Sequence, residues 1–406
     1  MTNHPLLSYV NWIQGEQEDL VALLETWTNI NTSSFNLEGL QKQTTLLKEA
    51  FSKLGGHVEE IALPPCEQID SKGKWRQKPL GKALSIIKHP EAPIQVFLGG
   101  HMDTVFAPES AFQKTQKIDQ NILQGPGVAD MKGGLIILLK ALEALEKSPF
   151  AGKIGWHVLI NPDEEIGSPG SAPLIRQFSK NKQLGLLFEP AFSDGSIVSA
   201  RKGSANFTVI AKGKSAHAGR DFAAGRNAIV GLARLICELD ELNDLDQKVT
   251  LNIGKVEGGE AVNVVPDTAL CRFNMRASLP EEFVLVKETI HNILSTLNAN
   301  KEITLTLYQH GERTPKMFDE KHQALFKNLQ QTAQAMGVAL TWKASGGICD
   351  GNILAEEGIP SIDTLGAVGG NIHTHEEYIL INSLVQRAQL TALFLMQLES
   401  LFKGKL

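Results

Sequence analysis

Residues 204–213, SANFTVIAKG, decide how the chain is organised. Before them, apolar strands alternate with amphipathic helices; from here the rhythm changes. The strand-like run is followed by a helical pattern at 225–242 (GRNAIVGLARLICELDEL) and two strands at 248–259 (KVTLNIGKVEGG) and 268–278 (TALCRFNMRAS). A helix at 280–297 (PEEFVLVKETIHNILSTL) and a strand at 302–311 (EITLTLYQHG) complete the set. The order βαββαβ is that of the split βαβ sandwich, and about 100 residues suffice for a small domain of its own.

Working outward, the flanking sequence reads as a different layer. Upstream lie helices at 20–30 and 40–56, the second ending in a Gly-Gly stop, and strands at 58–64, 82–89, 94–100, 154–161 and 184–190. Between the third and fourth strands, GGLIILLKALEALEK at 133–147 is an apolar-rich helix. The pattern resumes after the insertion with a helix at 320–337 and a strand at 359–366. This predicts an α/β fold with a sheet covered on both faces. The expected division is a discontinuous domain of residues 1–203 and 313–406, with residues 204–312 inserted. A chain of 406 residues agrees with two domains.

Bulk properties exclude several partners. Lys+Arg 39 against Asp+Glu 45 gives a formal charge of −6, without the basic block that would neutralise phosphates. Nucleic acid is not an expected partner. No apolar stretch approaches the roughly 20 residues of a membrane span, and the first residues lack a basic segment before an apolar one. A cytoplasmic location is the expectation. Cys66, Cys237, Cys271 and Cys349 form no CxxC pair, so thiolate zinc and redox motifs are not indicated.

The polar candidates fall where strands end. His101 and Asp103 follow IQVFLGG; Asp130 sits in GVADMKGG; Glu164 and Glu165 lie in NPDEEIGSPGS; Glu189 ends LGLLFEP; His373 follows IDTLGAVGGN. Open α/β sheets bind ligands beyond the carboxyl ends of their strands, so residues far apart in sequence can converge there. Two imidazoles with several carboxylates and no thiolate suit zinc, with cobalt or manganese as substitutes. Two metals need a shared ligand, and Asp130 is the natural bridge. Glu164 and Glu165 supply one base and one ligand, since neighbours on an extended segment point in opposite directions. Asp103, two residues after His101, can orient its imidazole. Taken singly, each residue is an ordinary loop acid, cap or solvated histidine. Their joint occurrence in Gly-flanked segments is what carries the reading.

GGHMDTV, GVADMKGGL, NPDEEIGSPGS, FEPA, GKSAHAG, VNVVPD, NMR and GGNIHTHEEY occur in the order of a known family. Over nearly its whole length the chain resembles the zinc metallopeptidase and deacylase family of glutamate carboxypeptidase, acetylornithine deacetylase and succinyl-diaminopimelate desuccinylase. The resemblance implies a zinc-exopeptidase-like catalytic domain, its mixed central sheet flanked by helices. It makes the inserted split βαβ (ferredoxin-like) domain a dimerisation or lid domain, and the protein a homodimer. It implies two zinc ions held by His101, Asp130, Glu165, Glu189 and His373, with Asp130 bridging, Asp103 orienting and Glu164 the general base. It makes the Asp130–Met131 peptide bond cis. His217 would reach the partner subunit's site to steady the oxyanion, and Asn263 and Arg276 would hold a substrate carboxylate.

Departures from the family pattern bear on the substrate. Ile348 and Cys349 stand where relatives often carry a small hydroxyl residue before the acid, and no basic residue marks a glutamate side-chain pocket. His373, four residues before Glu377, fits the ligand position better than His375. The GKS at 213–215 lacks the earlier glycine of a phosphate loop. The expected function is hydrolysis of an amide or peptide bond in a small or short-peptide substrate with a free carboxylate, glutamate-carboxypeptidase-like. N-acyl amino acid deacylation and dipeptidase activity are the alternatives, and an inactive binding homologue is the non-enzyme alternative. A serine hydrolase is disfavoured by the absence of a G-x-S-x-G elbow, and Cys349 lacks the paired histidine of a cysteine nucleophile.

Overall fold

The computed structural model describes residues 5–243, 246, 248–299 and 302–403. The ends of the expected large domain, residues 1–4 and 404–406, lie outside them.

A six-stranded mixed sheet forms the centre. Its order is His57–Ala62, Lys82–Lys88, Ile154–Asn161, Ile94–His101, Leu184–Leu187, Ser361–Ile362, the first two pairings antiparallel and the rest parallel. Every residue of Ile154–Asn161 is buried, as a strand covered on both faces requires. Alternation divides the side chains between two cores. Val96 and Leu98 join the larger one, built with the helices Gln17–Thr28, Gly133–Glu146 and Ile381–Lys403. Phe97 joins a smaller cluster with Ile175 and Ile353, from the helices Ala172–Ser179 and Gly351–Glu356. At Gly134 a Cβ would lie 1.9 Å from the Phe188 carbonyl oxygen, so this glycine lets the helix start press against the backbone just after the strand Leu184–Leu187.

Between Arg201 and Lys316 the chain builds a separate four-stranded antiparallel sheet, ordered Val249–Gly258, Thr268–Ala277, Gly203–Lys212, Thr304–Arg313. The helices Ala228–Asp240 and Pro280–Asn298 cover one face, over a core that includes Leu235, Ile290 and the stacked rings of Phe207 and Phe273. Residues of the other parity, among them Ser204, Asn206, Arg272 and Arg276, face the opposite side. That side is polar, except where Ile69 packs on Ile210 and Leu270. Ile69 belongs to a hairpin, Cys66–Ile69 with Trp75–Lys78, that rises from the large layer.

The chain enters and leaves this layer on paired backbones: Arg201 N–H donates to Lys316 O and Lys316 N–H to Arg201 O, each 3.0 Å. Both side chains donate to buried Asp363, at 2.8 Å from Arg201 and 2.9 Å from Lys316. Their two charges hold its carboxyl far below the usual range despite complete burial.

Several elements differ from the sequence expectations. The strands expected at 184–190 and 359–366 shorten to Leu184–Leu187 and Ser361–Ile362, because the chain turns outward to present Glu189 and the loop before His373. The long helix Ile381–Lys403 was not anticipated from the pattern; it packs on Gly133–Glu146. The hairpin at 66–78 carries no alternation, its second strand being wholly exposed.

Candidate metal centre

His101 is the last residue of its buried strand and is itself 1% exposed. Its Nε2 lies 3.0 Å from Asp130 Oδ1 and 3.7 Å from Glu189 Oε2. His373 Nε2 lies 3.4 Å from Asp130 Oδ2 and 3.2 Å from Glu165 Oε2. One carboxylate therefore turns one oxygen to each imidazole, and each imidazole has a glutamate of its own. Single donor atoms from His101, Asp130 and Glu165 all come within 4.8 Å of one another.

Local backbone explains this convergence. Asp130 sits in an irregular turn, Val128–Lys132, that leads into the helix Gly133–Glu146, and its peptide bond to Met131 is cis. Buried Glu377 accepts the N–H groups of Gly127, Ala129 and Asp130 at 3.1, 2.8 and 3.0 Å and so fixes the turn. Sequence reading used Glu377 only to register His373; a glutamate four residues beyond a ligand gives no sign that it binds a distant backbone. His373 is presented from a left-handed backbone, φ +64°, a conformation non-glycine residues rarely adopt outside functional loops. His375 turns away, stacking on Phe112 with Nε2 3.3 Å from Ser110 Oγ.

Asp103 does more than orient a ring. His101 Nδ1 is closer to the Asp103 carbonyl oxygen, 3.0 Å, than to its carboxylate, 3.4 Å. The carboxylate accepts Ser34 Oγ–H at 2.7 Å and the backbone N–H groups of Glu164 and Glu165 at 3.2 and 3.1 Å. The two glutamates lie on a tight 3₁₀ turn, Glu164–Ile166, and not on the extended segment expected. The turn forms because Gly167, φ +88°, returns its N–H to Glu164 O at 2.7 Å. Rotation along the turn, in place of strand alternation, separates the two side chains.

The charge balance of the site asks for a cation. Asp130, Glu164, Glu165 and Glu189 face only two imidazoles. Burial works against ionising Asp130, yet hydrogen bonds from His101 and His373 hold its carboxyl well below the usual range. Burial and the Asp130 charge push Glu165 up to about 7. Burial and the charge of Glu189 push Glu164 well up, and burial likewise raises Glu189. Hydrogen bonds to Asp130 and Glu165 lift His373 to about 10. Carboxylates that cannot all ionise together, set among neutralisable imidazoles, are the donor set a divalent ion would fill.

Three further candidates lie away from this cluster. His217 is exposed, its Nδ1 accepting the N–H groups of Gly219 and Arg220 at 3.1 and 3.2 Å. Asn263, also exposed, is tied to the same loop by Ala218 N–H on its carbonyl oxygen. Arg276, half-buried on the polar side of the inserted sheet, donates to Gly346 O at 2.5 Å and to Asn274 Oδ1 at 3.0 Å. Gly346 is two residues before Ile348 and three before Cys349. Burial pushes the Cys349 thiol well up, which removes its nucleophilic form.

A central mixed sheet whose strand ends and following turns bring two imidazoles and several carboxylates together defines a candidate divalent-metal site, as metal-dependent hydrolases carry. Residues 97–397 match the profile of peptidase family M20/M25/M40, and the chain belongs to that family. It is 27% identical over 395 residues to carboxypeptidase G2 of a Pseudomonas species, covering 94% of this chain and 90% of that one. It is 29% identical over 316 residues to succinyl-diaminopimelate desuccinylase of Hahella chejuensis, covering 73% and 80%. Among solved structures, a tripeptidase of Staphylococcus aureus superimposes with a TM-score of 0.74 at 25% identity, over 95% of this chain and 99% of that one. The cis bond and the mixed sheet thus agree with the resemblance drawn from the motifs. No helix among the described residues is long and apolar enough to cross a membrane.

Proposed function

We propose that the chain is a two-metal carboxypeptidase-like hydrolase, cleaving a C–N bond in a small substrate that bears a free carboxylate. The observation that carries this reading is the division of the two Asp130 oxygens between His101 and His373. Asp130, His101 and Glu189 would hold one ion, and Asp130, His373 and Glu165 the other. Zinc suits these donors best, with cobalt or manganese able to replace it. When bound, the ions would supply an acidified water and an electrophilic pull on the scissile carbonyl.

The protein's own groups then divide the remaining work. Glu164 takes the proton of the attacking water and returns it to the leaving amine; burial and the neighbouring Glu189 charge raise its proton affinity, the direction a proton-accepting carboxylate needs. Asp103 fixes the backbone from which Glu164 projects. Arg276 supports a reading in which a planar guanidinium takes the substrate carboxylate.

His217 and Asn263 belong to a site completed by a second copy of the chain. Both are exposed, and neither has a hydrogen bond or ion pair to a metal-site residue among those described. The exposed apolar side chains Phe222, Val262 and Val264 lie on the same loops, the kind of surface that a partner covers. The unpaired cysteines suit a reducing compartment, which supports a cytoplasmic location.

Removal of a short acyl group from an amino acid is the second reading, favoured by the 29% identical desuccinylase. Hydrolysis of N-acyl amino acids and of di- and tripeptides by zinc-loaded protein, with and without a chelator, separates these readings. Release of the C-terminal amino acid from peptides supports the first, and turnover confined to N-acyl amino acids the second. Zinc bound at two per chain without hydrolysis of any compound would overturn both in favour of a binding homologue.

A further inference from the structure

We propose that Arg313 is a positioning residue for Glu164, tying the general base to the seat of the inserted layer. This rests on the hydrolase reading for its consequence in turnover, though not for the geometry.

Arg313 ends the last strand of the inserted sheet, three residues before Lys316 rejoins the large layer. Its side chain is only 7% exposed. Instead of staying with its own sheet, the guanidinium crosses to the large layer. Nη2 donates to Gly167 O at 2.8 Å and lies 3.6 Å from Asp350 Oδ1, while Nη1 is held by the Glu312 carbonyl oxygen at 3.1 Å. Gly167 is the residue whose N–H closes the turn begun at Glu164. One residue, Gly167, thus has its N–H on the base residue and its carbonyl oxygen on a cation from another layer.

That turn needs outside ties. Gly167 and the following Ser168 both have positive φ, +88° and +52°, and for serine the left-handed region is costly. Ser168 is kept there by its N–H to Asp163 O at 2.8 Å and its Oγ–H to Asp350 Oδ1 at 2.6 Å. Asp350 in turn accepts Asn161 Nδ2–H at 2.9 Å, from the end of a central strand. Asp103 pins the front of the turn, and Asp350 with Arg313 pins its back. Only Arg313, of these anchors, comes from the inserted layer. A rotation of that layer about the paired Arg201 and Lys316 backbones would carry the guanidinium with it and shift or release the turn that bears Glu164.

The test compares Arg313→Ala and Arg313→Lys with the unaltered chain in steady-state hydrolysis, zinc stoichiometry and amide hydrogen exchange. Misplacing a catalytic group by about 1 Å costs on the order of 10²-fold. We expect Arg313→Ala to lower kcat by about that factor with KM and bound zinc unchanged, and added guanidinium to restore much of the loss. Arg313→Lys, which keeps charge and most of the volume, guards against simple misfolding and should recover less than guanidinium does, because lysine's single nitrogen lacks the planar fork whose two ends meet the Gly167 and Glu312 carbonyls. Exchange at residues 164–168 should rise while that at 127–132 stays fixed. Unchanged kcat together with unchanged exchange overturns the proposal, as does a kcat loss that follows zinc loss one for one. If the unaltered chain hydrolyses nothing, the hydrolase reading fails on its own, and the exchange comparison still decides whether Arg313 holds the turn.

Discussion

The metal centre and the loop that carries His217 and Asn263 are opposite kinds of site. At the centre, His101, Asp130 and Glu189 are buried, and their donor atoms face one another inside one chain. On the inserted layer, His217 and Asn263 stand in solvent. The first brings its donor atoms together within the fold. The second has polar groups and no object. The contrast is between donors that converge within one chain and polar groups that converge on nothing in it, and it can be broken experimentally.

Metal removal should have the largest effect: a chelator is expected to abolish turnover, and two equivalents of zinc to restore it. Restoration by one equivalent would break the reading of Asp130 as a bridge. Glu164→Gln comes next, with kcat expected to fall by about 10²–10⁴-fold while zinc content, measured by elemental analysis, stays at two per chain. His217→Ala should lower kcat by about 10²-fold, the cost typical of losing an oxyanion donor. The sharper form mixes His217→Ala chains with Glu164→Gln chains. Regained activity in the mixture places His217 at a partner's site, whereas none overturns that placement.

Smaller effects probe the cores behind the two sites. Phe207→Ala should cost about 3–5 kcal/mol in the inserted layer, read by denaturant unfolding, since its ring is 2% exposed and stacked on Phe273. The least effect concerns pH. Burial lowers His157 to about 4, where it meets Ser85 Oγ at 2.9 Å. Its unfolded value is near 6.5, so the unfolded chain binds the extra proton first as pH falls. Stability is therefore lost between about pH 6.5 and 4, by at most about 3 kcal/mol from this group. His157→Phe should flatten that part of the pH–stability curve relative to the unaltered chain, and an identical slope would refute the assignment.

Much of this was legible in the sequence, for identifiable reasons. The strand at 94–101 is β-branched and apolar and ends in Gly-Gly-His, so its burial and the place of His101 follow from period and punctuation. The βαββαβ order after residue 203 appears as the 2-3-1-4 strand order of the inserted sheet. Other features left no local trace. Glu377 binds backbone about 250 positions away, and Arg313 reads as an ordinary strand-end charge until its fork is seen on Gly167. The turn at Glu164 was misread as extended, because whether DEEIG coils or stretches depends on Asp103 and Gly167 together.

By itself the sequence determined which residue types stand at the strand ends, and hence the α/β class, the family and the chemistry of the donor set. Periodicity and ligand preference are local properties, carried by a few neighbouring residues. Only the tertiary structure decided that Asp130 divides its oxygens between two histidines, that Asp103 clamps the glutamate turn, and that His217 faces solvent. Those are relations between segments tens to hundreds of residues apart, and they are fixed by packing and by where buried polar groups find partners.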